Sequence, residues 1–175
     1  GSVFEFNFQC RLESRKRQSH LQNSKLNVLI VDDNKDSRLL IESVIDDLKH
    51  SFSSARSADE ALRILNKSNS NGINYDLLLI DWLMPETDGF ECLKLIQSNK
   101  DITTPKSILV TTYGEEGLEE KALDIGFNGY IEKPIKKGHL QQLISQLFFE
   151  HQVAKQEKTS SSTNSTVNTD NAPSP

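Results

Sequence analysis

From residue 26 onward, short apolar runs alternate with longer stretches in which apolar residues recur every three or four positions. Short runs bounded by polar residues read as strands buried on both faces, and the periodic stretches as amphipathic helices packed over them. Five such pairs place strands at 26–31, 51–56, 76–80, 106–111 and 129–132, the second being the weakest. The first helical stripe runs through Leu40, Ile41, Val44, Ile45 and Leu48, the second through Ala61, Leu62 and Leu65, and the third through Leu93 and Ile96. Leu118, Ala122 and Ile125 mark the fourth, and Leu140, Leu143, Ile144 and Leu147 the fifth. Local punctuation agrees. Ser57-Ala58-Asp59-Glu60 reads as a capping box opening the second helix, and Gly126 stands where a left-handed residue would close the fourth. Repeated β-α units predict an α/β fold, a doubly wound five-stranded parallel sheet with helices on both faces.

Both ends depart from this pattern. Residues 151–175 are dominated by Ser, Thr, Asn, Gln and Lys, which cannot bury enough apolar area to offset chain entropy, and they read as a disordered linker or tail. Asn164-Ser165-Thr166 matches a glycosylation sequon that a cytosolic chain would not use. Residues 11–25 carry Arg11, Arg15, Lys16 and Arg17 among polar residues and read as a solvated connector. Within residues 1–10, Val3-Phe4-Glu5-Phe6-Asn7-Phe8 alternates as a half-buried edge strand does, yet has no place among the five units. The expected domain therefore occupies residues 26–150.

Bulk properties narrow the function. A length of 175 residues suits one domain with a single core. A net charge of −5 with both signs interspersed disfavours nucleic acid and anionic lipid as partners. Cys10 and Cys92 lie far apart without CxxC or Cys/His spacing, so neither a disulfide framework nor a zinc site is expected, and a reducing cytoplasm fits. The apolar runs at 28–31 and 77–80 are far too short to span a bilayer. Glu5, Asn7 and Gln9 break up the N-terminus, which does not read as a signal peptide.

The informative residues are polar ones at strand ends. Asp32 and Asp33 follow the first strand, Asp81 the third and Lys133 the fifth, while Thr111 ends the fourth. In a sheet of order 2-1-3-4-5, strands one and three are neighbours at the topological switch point, so their C-terminal loops share one crevice. Three carboxylates gathered there repel one another, and a hard divalent cation with oxygen ligands, Mg²⁺ above all, relieves the repulsion. A carboxylate can also accept a phosphoryl group as a mixed anhydride, a transfer that needs alignment and neutralised equatorial oxygens. The Lys133 ammonium and Thr111 hydroxyl suit that task. Taken singly, each residue has an ordinary explanation: Asp32 or Asp33 as a helix cap, Thr111 as a strand former, Tyr130 as core, Lys133 as surface. His20, His50, His139 and His151 lie in linkers or at helix ends without a paired ligand and read as surface residues, and Cys92 as packing in the third helix.

Val31-Asp32-Asp33-Asn34, Ile80-Asp81-Trp82-Leu83-Met84-Pro85, Asp88-Gly89, Val110-Thr111-Thr112 and Tyr130-Ile131-Glu132-Lys133-Pro134 occur in an order and spacing that resemble the receiver domains of two-component response regulators and hybrid histidine kinases. The resemblance implies a flavodoxin-like, CheY-like (βα)5 fold. It implies that Asp81 is the phosphoacceptor, assisted by Lys133 and Thr111, and that Asp33, Asp81 and the main-chain carbonyl of Leu83 bind Mg²⁺ while Asp32 acts through water. It further implies a cis peptide before Pro134, and a switch in which Thr111 moves toward the phosphoryl group and Tyr130 turns inward. The implied partner is a phosphohistidine-bearing kinase or histidine phosphotransfer domain docking near Ser37, Arg38 and Leu39. Such a domain promotes its own phosphorylation and dephosphorylation without being a turnover enzyme. Gly1-Ser2-Val3-Phe4-Glu5-Phe6 resembles the closing strand of a histidine-kinase ATP-binding domain, which, unless Gly1-Ser2 is a cloning scar, implies a hybrid sensor kinase as the parent, itself the bearer of any membrane anchor.

Departures are few. Thr87 stands where the family often has methionine, and the bulky Leu83 and Tyr113 at the mouth of the site predict slow hydrolysis of the phosphoryl group. A haloacid-dehalogenase-like phosphatase would require a second Asp two residues after the nucleophile, where this chain has Leu83. A flavodoxin-like binding module would require a Ser/Thr/Gly-rich phosphate loop in place of Asp32-Asp33, and an inert pseudo-receiver scaffold would have lost a key residue.

Overall fold

Strand β3 has no solvent face: Leu77, Leu78, Leu79 and Ile80 are all fully buried, which is why its sequence is continuously apolar instead of alternating. The computed structural model describes residues 25–112 and 117–150. Within them the chain runs β1 (Asn27–Val31), α1 (Lys35–Asp47), β2 (Ser51–Ala55), α2 (Ala58–Ser70), β3 (Leu77–Asp81), α3 (Gly89–Ser98), β4 (Lys106–Thr111), α4 (Leu118–Ile125), β5 (Gly129–Glu132) and α5 (Lys137–Ser145), continued by a π-helical turn, Gln146–Glu150. The sheet has the order β2-β1-β3-β4-β5 and every pairing is parallel. The expected five-unit, doubly wound fold is the observed one. The expectations for 1–10, 11–24, 151–175 and Tyr113 lie outside the described residues.

Side chains on alternate faces of the strands feed two cores. Val28, Ile30, Leu77, Leu79, Ile108 and Ile131 pack with Ile41 and Ile45 of α1 and with Leu140 and Ile144 of α5. Leu29, Val31, Leu78, Ile80 and Leu109 pack on the opposite face with Leu65 of α2, Leu93 and Ile96 of α3 and Ala122 of α4. Burying these faces is the principal drive to fold, at about 25 cal/mol for each Å² of apolar surface removed from water. Among the described residues, strand β2 pairs only with β1 and lies at the end of the sheet. An edge tolerates Ser51, Ser53 and Ser54, all half-buried, and leaves Phe52 40% exposed, so its apolar signal is weak.

Caps follow local chemistry with two differences. Ser57 caps α2 by accepting the Glu60 N–H, but the Glu60 carboxylate accepts the N–H of Arg56 instead of that of Ser57, so the reciprocal arm of the box lands one residue early. Helix α1 is capped by Asn34, which accepts the Ser37 N–H, and not by Asp32 or Asp33. Gly126 closes α4 in the left-handed region at φ 111°, as expected. Cys92 is fully buried in α3. His50 departs from the surface reading: it is half-buried, and its Nδ1 accepts the Leu26 N–H at 3.4 Å. Among the described residues no helix is long and apolar enough to cross a membrane.

Candidate functional site

Parallel strands that are apolar along their length can change character only where they end, and four of them do so at the same edge of the sheet. Asp81 is the last residue of β3 and Thr111 the last of β4, 6% and 1% exposed. Asp32, fully buried, follows β1, and Lys133 follows β5. Main-chain bonds carry the ladder past the strands: Asp32 N–H donates to Ala55 O, Trp82 N–H to Val110 O and Lys133 N–H to Thr111 O. The residues that matter chemically are therefore held by the sheet, with one flank closed by the turn into α1.

The side chains converge. One carboxylate oxygen from each of Asp32, Asp33 and Asp81 lies within 4.8 Å of the others. The Lys133 ammonium bridges two of these acids, at 2.7 Å from Asp81 Oδ1 and 2.7 Å from Asp32 Oδ2. The Lys133-Pro134 peptide is cis, as the resemblance implied. Asp32 has two further donors: Ser37 Oγ donates to Oδ2 at 2.6 Å and Asn34 N–H to Oδ1 at 2.8 Å. Among the described residues none donates to the exposed Asp33 carboxylate. The Arg38 guanidinium donates to the main-chain carbonyls of both Asp32 and Asp33 and clamps the loop between β1 and α1.

Charge is unbalanced in this crevice. Burial pushes the Asp81 carboxyl above its ordinary range, the charges of Asp32 and Asp33 push the same way, and the Lys133 ammonium only partly offsets them. Burial alone would lower Lys133, but its bonds to Asp32 and Asp81 outweigh that and hold the ammonium above its usual value. Among the described residues three acids face one ammonium, and the acids offer only oxygen, the chemistry that suits a hard divalent cation. Next to the acids a cleft of about 810 Å³ is lined by Ser37, Leu40 and Val44 of α1, by Leu83, and by Pro134 and Ile135.

The structure thus brings together Asp32, Asp33, Asp81 and Lys133, with Thr111 buried at the end of the adjacent strand. Tyr130 lies opposite Leu109 in the β4–β5 pairing, half-buried against the core beneath α2, α3 and α4. Leu83 is 60% exposed at the mouth of the site. Two residues that the sequence singled out for other reasons, Ser37 for docking and Gly89 within the Asp88-Gly89 motif, also contribute to the site. Ser37 enters through its bond to Asp32. Gly89 enters through contact, because a Cβ there would stand 2.5 Å from the Asp81 carbonyl oxygen. Its signal in the sequence is the Asp88-Gly89 pair, a glycine directly after the helix cap.

Known proteins are similar to this chain in sequence and fold. The family described as response regulator receiver domain matches residues 28–145. A two-component response regulator of Arabidopsis thaliana is 33% identical over 135 residues, covering 77% of this chain and 92% of its own length. A 14.6 kDa protein of Leptolyngbya boryana is 32% identical over 123 residues, covering 70% and 90%. Among solved structures, the chemotaxis response regulator CheY4 of Vibrio cholerae superposes with a TM-score of 0.60 at 21% identity, covering 71% of this chain and 99% of that one. The CheX–CheY–BeF3–Mg complex of Borrelia burgdorferi gives a TM-score of 0.62 at 24% identity, covering 71% and 90%. At these identities the solved structures speak for the fold.

Proposed function

The chain belongs to the response regulator receiver domain family, and from that premise we propose that Asp81 is the residue that takes the phosphoryl group, with Asp32, Asp33, Thr111 and Lys133 as its machinery. A receiver is a phosphoacceptor module of two-component signalling, acting with kinase or phosphotransfer partners, and the acidic cluster resembles the phosphorylation site of that family. The observation that carries the assignment is the Lys133 ammonium, 2.7 Å from an oxygen of Asp81 and fixed from behind by Asp32 at the same distance. A nucleophile at the end of a buried strand beside a cation already in place needs little reorganisation to meet a phosphoryl group.

The donor in this reading is a phosphohistidine. An Asp81 carboxylate oxygen attacks phosphorus, the P–O bond forms as the P–N bond breaks, and the imidazole departs with the electron pair of that bond. Lys133 and the Thr111 hydroxyl then neutralise equatorial oxygens. Asp33, Asp81 and the main-chain carbonyl of Leu83 would hold Mg²⁺ and Asp32 would act through water, and the ion would supply the remaining positive charge. Thr111, drawn toward the phosphoryl group, vacates space into which Tyr130 turns, so that phosphorylation biases two arrangements of the α4 side of the domain. The cleft beside α1, with Leu39 and Leu40 52% and 69% exposed along its helix, suits a helix of a histidine kinase or histidine phosphotransfer domain, and Ser37 and Arg38 stand at its edge. The Gly1-Ser2-Val3-Phe4 pattern supports a hybrid sensor kinase as the parent protein.

Incubation with Mg²⁺ and a small phosphodonor, followed by intact mass measurement, tests the assignment. One added phosphoryl group is expected on the wild-type chain and none on Asp81→Asn. No modification at all, or modification that survives the substitution, overturns it, while sustained hydrolysis of phosphomonoesters would favour a phosphatase of the haloacid-dehalogenase kind.

A further inference from the structure

Ser37 stands at the third position of α1, pinned by its own N–H to the cap residue Asn34, and its hydroxyl reaches back across the loop to Asp32 Oδ2. That oxygen already receives the Lys133 ammonium, and the other carboxylate oxygen receives the Asn34 N–H. Two donors thus share one oxygen of a side chain that is wholly buried. The sharing matters because the ammonium has two tasks. It bonds Asp81 and Asp32 in the geometry described here, and it must bond a phosphoryl oxygen once Asp81 carries one. If Lys133 were the sole donor to Oδ2, its departure would strand a buried charged oxygen, a state that is costly in a protein interior.

Resting on Asp81 as phosphoacceptor, we propose that Ser37 is a positioning residue for phosphoryl transfer. It holds Asp32 oriented as the outer support of the cation site and keeps both Asp32 oxygens satisfied while Lys133 moves to the phosphoryl group. With Ser37 and Lys133 on one Asp32 oxygen and Asn34 on the other, Asp32 is held in place beside Asp33 and Asp81 in the acidic cluster. Arg38, the next residue, clamps the carbonyls of Asp32 and Asp33, so consecutive side chains in the first turn of α1 fix both the acid and the loop that carries it. A group that orients a metal-site carboxylate from outside is typically worth about 10- to 100-fold in affinity or rate. The lower end applies here, because Asp32 retains two other donors.

The test compares Ser37→Ala, Ser37→Thr and Ser37→Asn with the wild-type chain. Mg²⁺ affinity is measured by calorimetric titration, and the phosphorylation rate at saturating Mg²⁺ with a small phosphodonor by intact mass. The alanine variant is expected to bind Mg²⁺ about tenfold more weakly and to take up the phosphoryl group about tenfold more slowly, with a thermal midpoint close to wild type. At least one of the donor-bearing variants, Thr or Asn, should recover most of both losses. Alanine within twofold of wild type in both measurements overturns the proposal, as does equal impairment of all three variants, which would make the role one of shape alone. If the wild-type chain takes no phosphoryl group, the assignment of Asp81 falls, and the Mg²⁺ titrations still decide whether Ser37 supports the cation site.

Discussion

Replacing Gly89 with alanine drives a methyl group into the main chain that carries Asp81. A Cβ at position 89 stands 2.5 Å from the Asp81 carbonyl oxygen and 3.1 Å from Trp82 Cα. Both are backbone atoms, which cannot swing aside as the tip of a long side chain would. Ordinary carbon–oxygen contact begins near about 3.3 Å, so roughly 0.8 Å has to be opened between the start of α3 and the end of β3. Opening it lengthens the Gly89 N–H to Trp82 O bond, now 2.9 Å, at a loss of about 1 kcal/mol. Overpacking adds about 1–3 kcal/mol, and the better helix propensity of alanine returns less than about 1 kcal/mol at a first helical position. The expected net destabilisation is about 1–4 kcal/mol. Gly138, where an added Cβ meets nothing within 4 Å, is the control, and Gly138→Ala should be neutral or stabilising by up to about 1 kcal/mol. The site feels the strain as well. Because a 1 Å misplacement can lower a rate about 100-fold, a shift of several tenths of an ångström at Asp81 should slow phosphorylation about tenfold. Urea unfolding and an intact-mass time course at saturating phosphodonor read the two effects. A Gly89→Ala protein that matches Gly138→Ala in midpoint and keeps the wild-type rate refutes the reasoning.

Three further substitutions probe different parts of the molecule. Leu83 is 60% exposed at the mouth of the cleft and offers an attacking water no partner, so Leu83→Asn should shorten the phosphoryl half-life several-fold in a decay followed after donor removal; an unchanged half-life would remove Leu83 from the account. Burial raises the Asp81 pKa despite Lys133, so ionised Asp81 opposes folding and its contribution to stability is lost as pH rises through the folded value. Asp81→Asn should therefore raise the urea midpoint of the metal-free chain at pH about 7.5, with the gap closing toward pH about 4 as wild type protonates; a lower midpoint would contradict the direction of the shift. His50 has the opposite sense: burial lowers its pKa against the pull of Asp76, and its neutral ring accepts the Leu26 N–H. Its contribution is complete above the ordinary imidazole value of about 6.5 and is lost as pH falls below it. Between pH about 7.5 and 5.5, wild type should lose more stability than His50→Gln, and parallel losses would count against the buried-ring explanation.

Much of this architecture is legible in the sequence because strand burial imposes the composition. An apolar run such as Leu77-Leu78-Leu79-Ile80 leaves no position for a polar residue until Asp81, so the strand and its chemical end announce themselves together. Asp32 after Val31 and Thr111 after Val110 are readable for the same reason. Strand β2 is faint because an edge needs less apolar surface. What escapes a reading of spacing is the set of contacts that depend on rotamer and loop path. Asn34, not either aspartate, caps α1, which leaves Asp32 and Asp33 to the crevice. Ser37 looks like any polar residue in a first helical turn until its hydroxyl is seen on Asp32. Gly89 is adjacent to the Asp81 carbonyl only after the intervening loop has turned back on itself.

That loop and the ammonium identify where change can enter the site. Asp32, Asp81 and Thr111 are held by the sheet, through strand pairing or through the Asp32 N–H bond to Ala55, and packed strands move little as units. Between Asp81 and α3, by contrast, Glu86 occupies the left-handed region at φ 68° and the Thr87 N–H turns back onto Pro85 O at 2.7 Å. A non-glycine residue in that conformation carries a strain of about 1–2 kcal/mol, sustained by Asp88, which caps α3 on the Glu91 N–H, and by the contact of Gly89 with Asp81. Lys133 is the second adjustable part, since its ammonium can exchange one acid for a phosphoryl oxygen by rotating about its own stem. On the proposed assignment, a phosphoryl group on Asp81 would act first on the balance between Lys133 and the acids and on a strained loop tied to the same residue. The sheet would supply the fixed frame against which both displacements become differences at the surface.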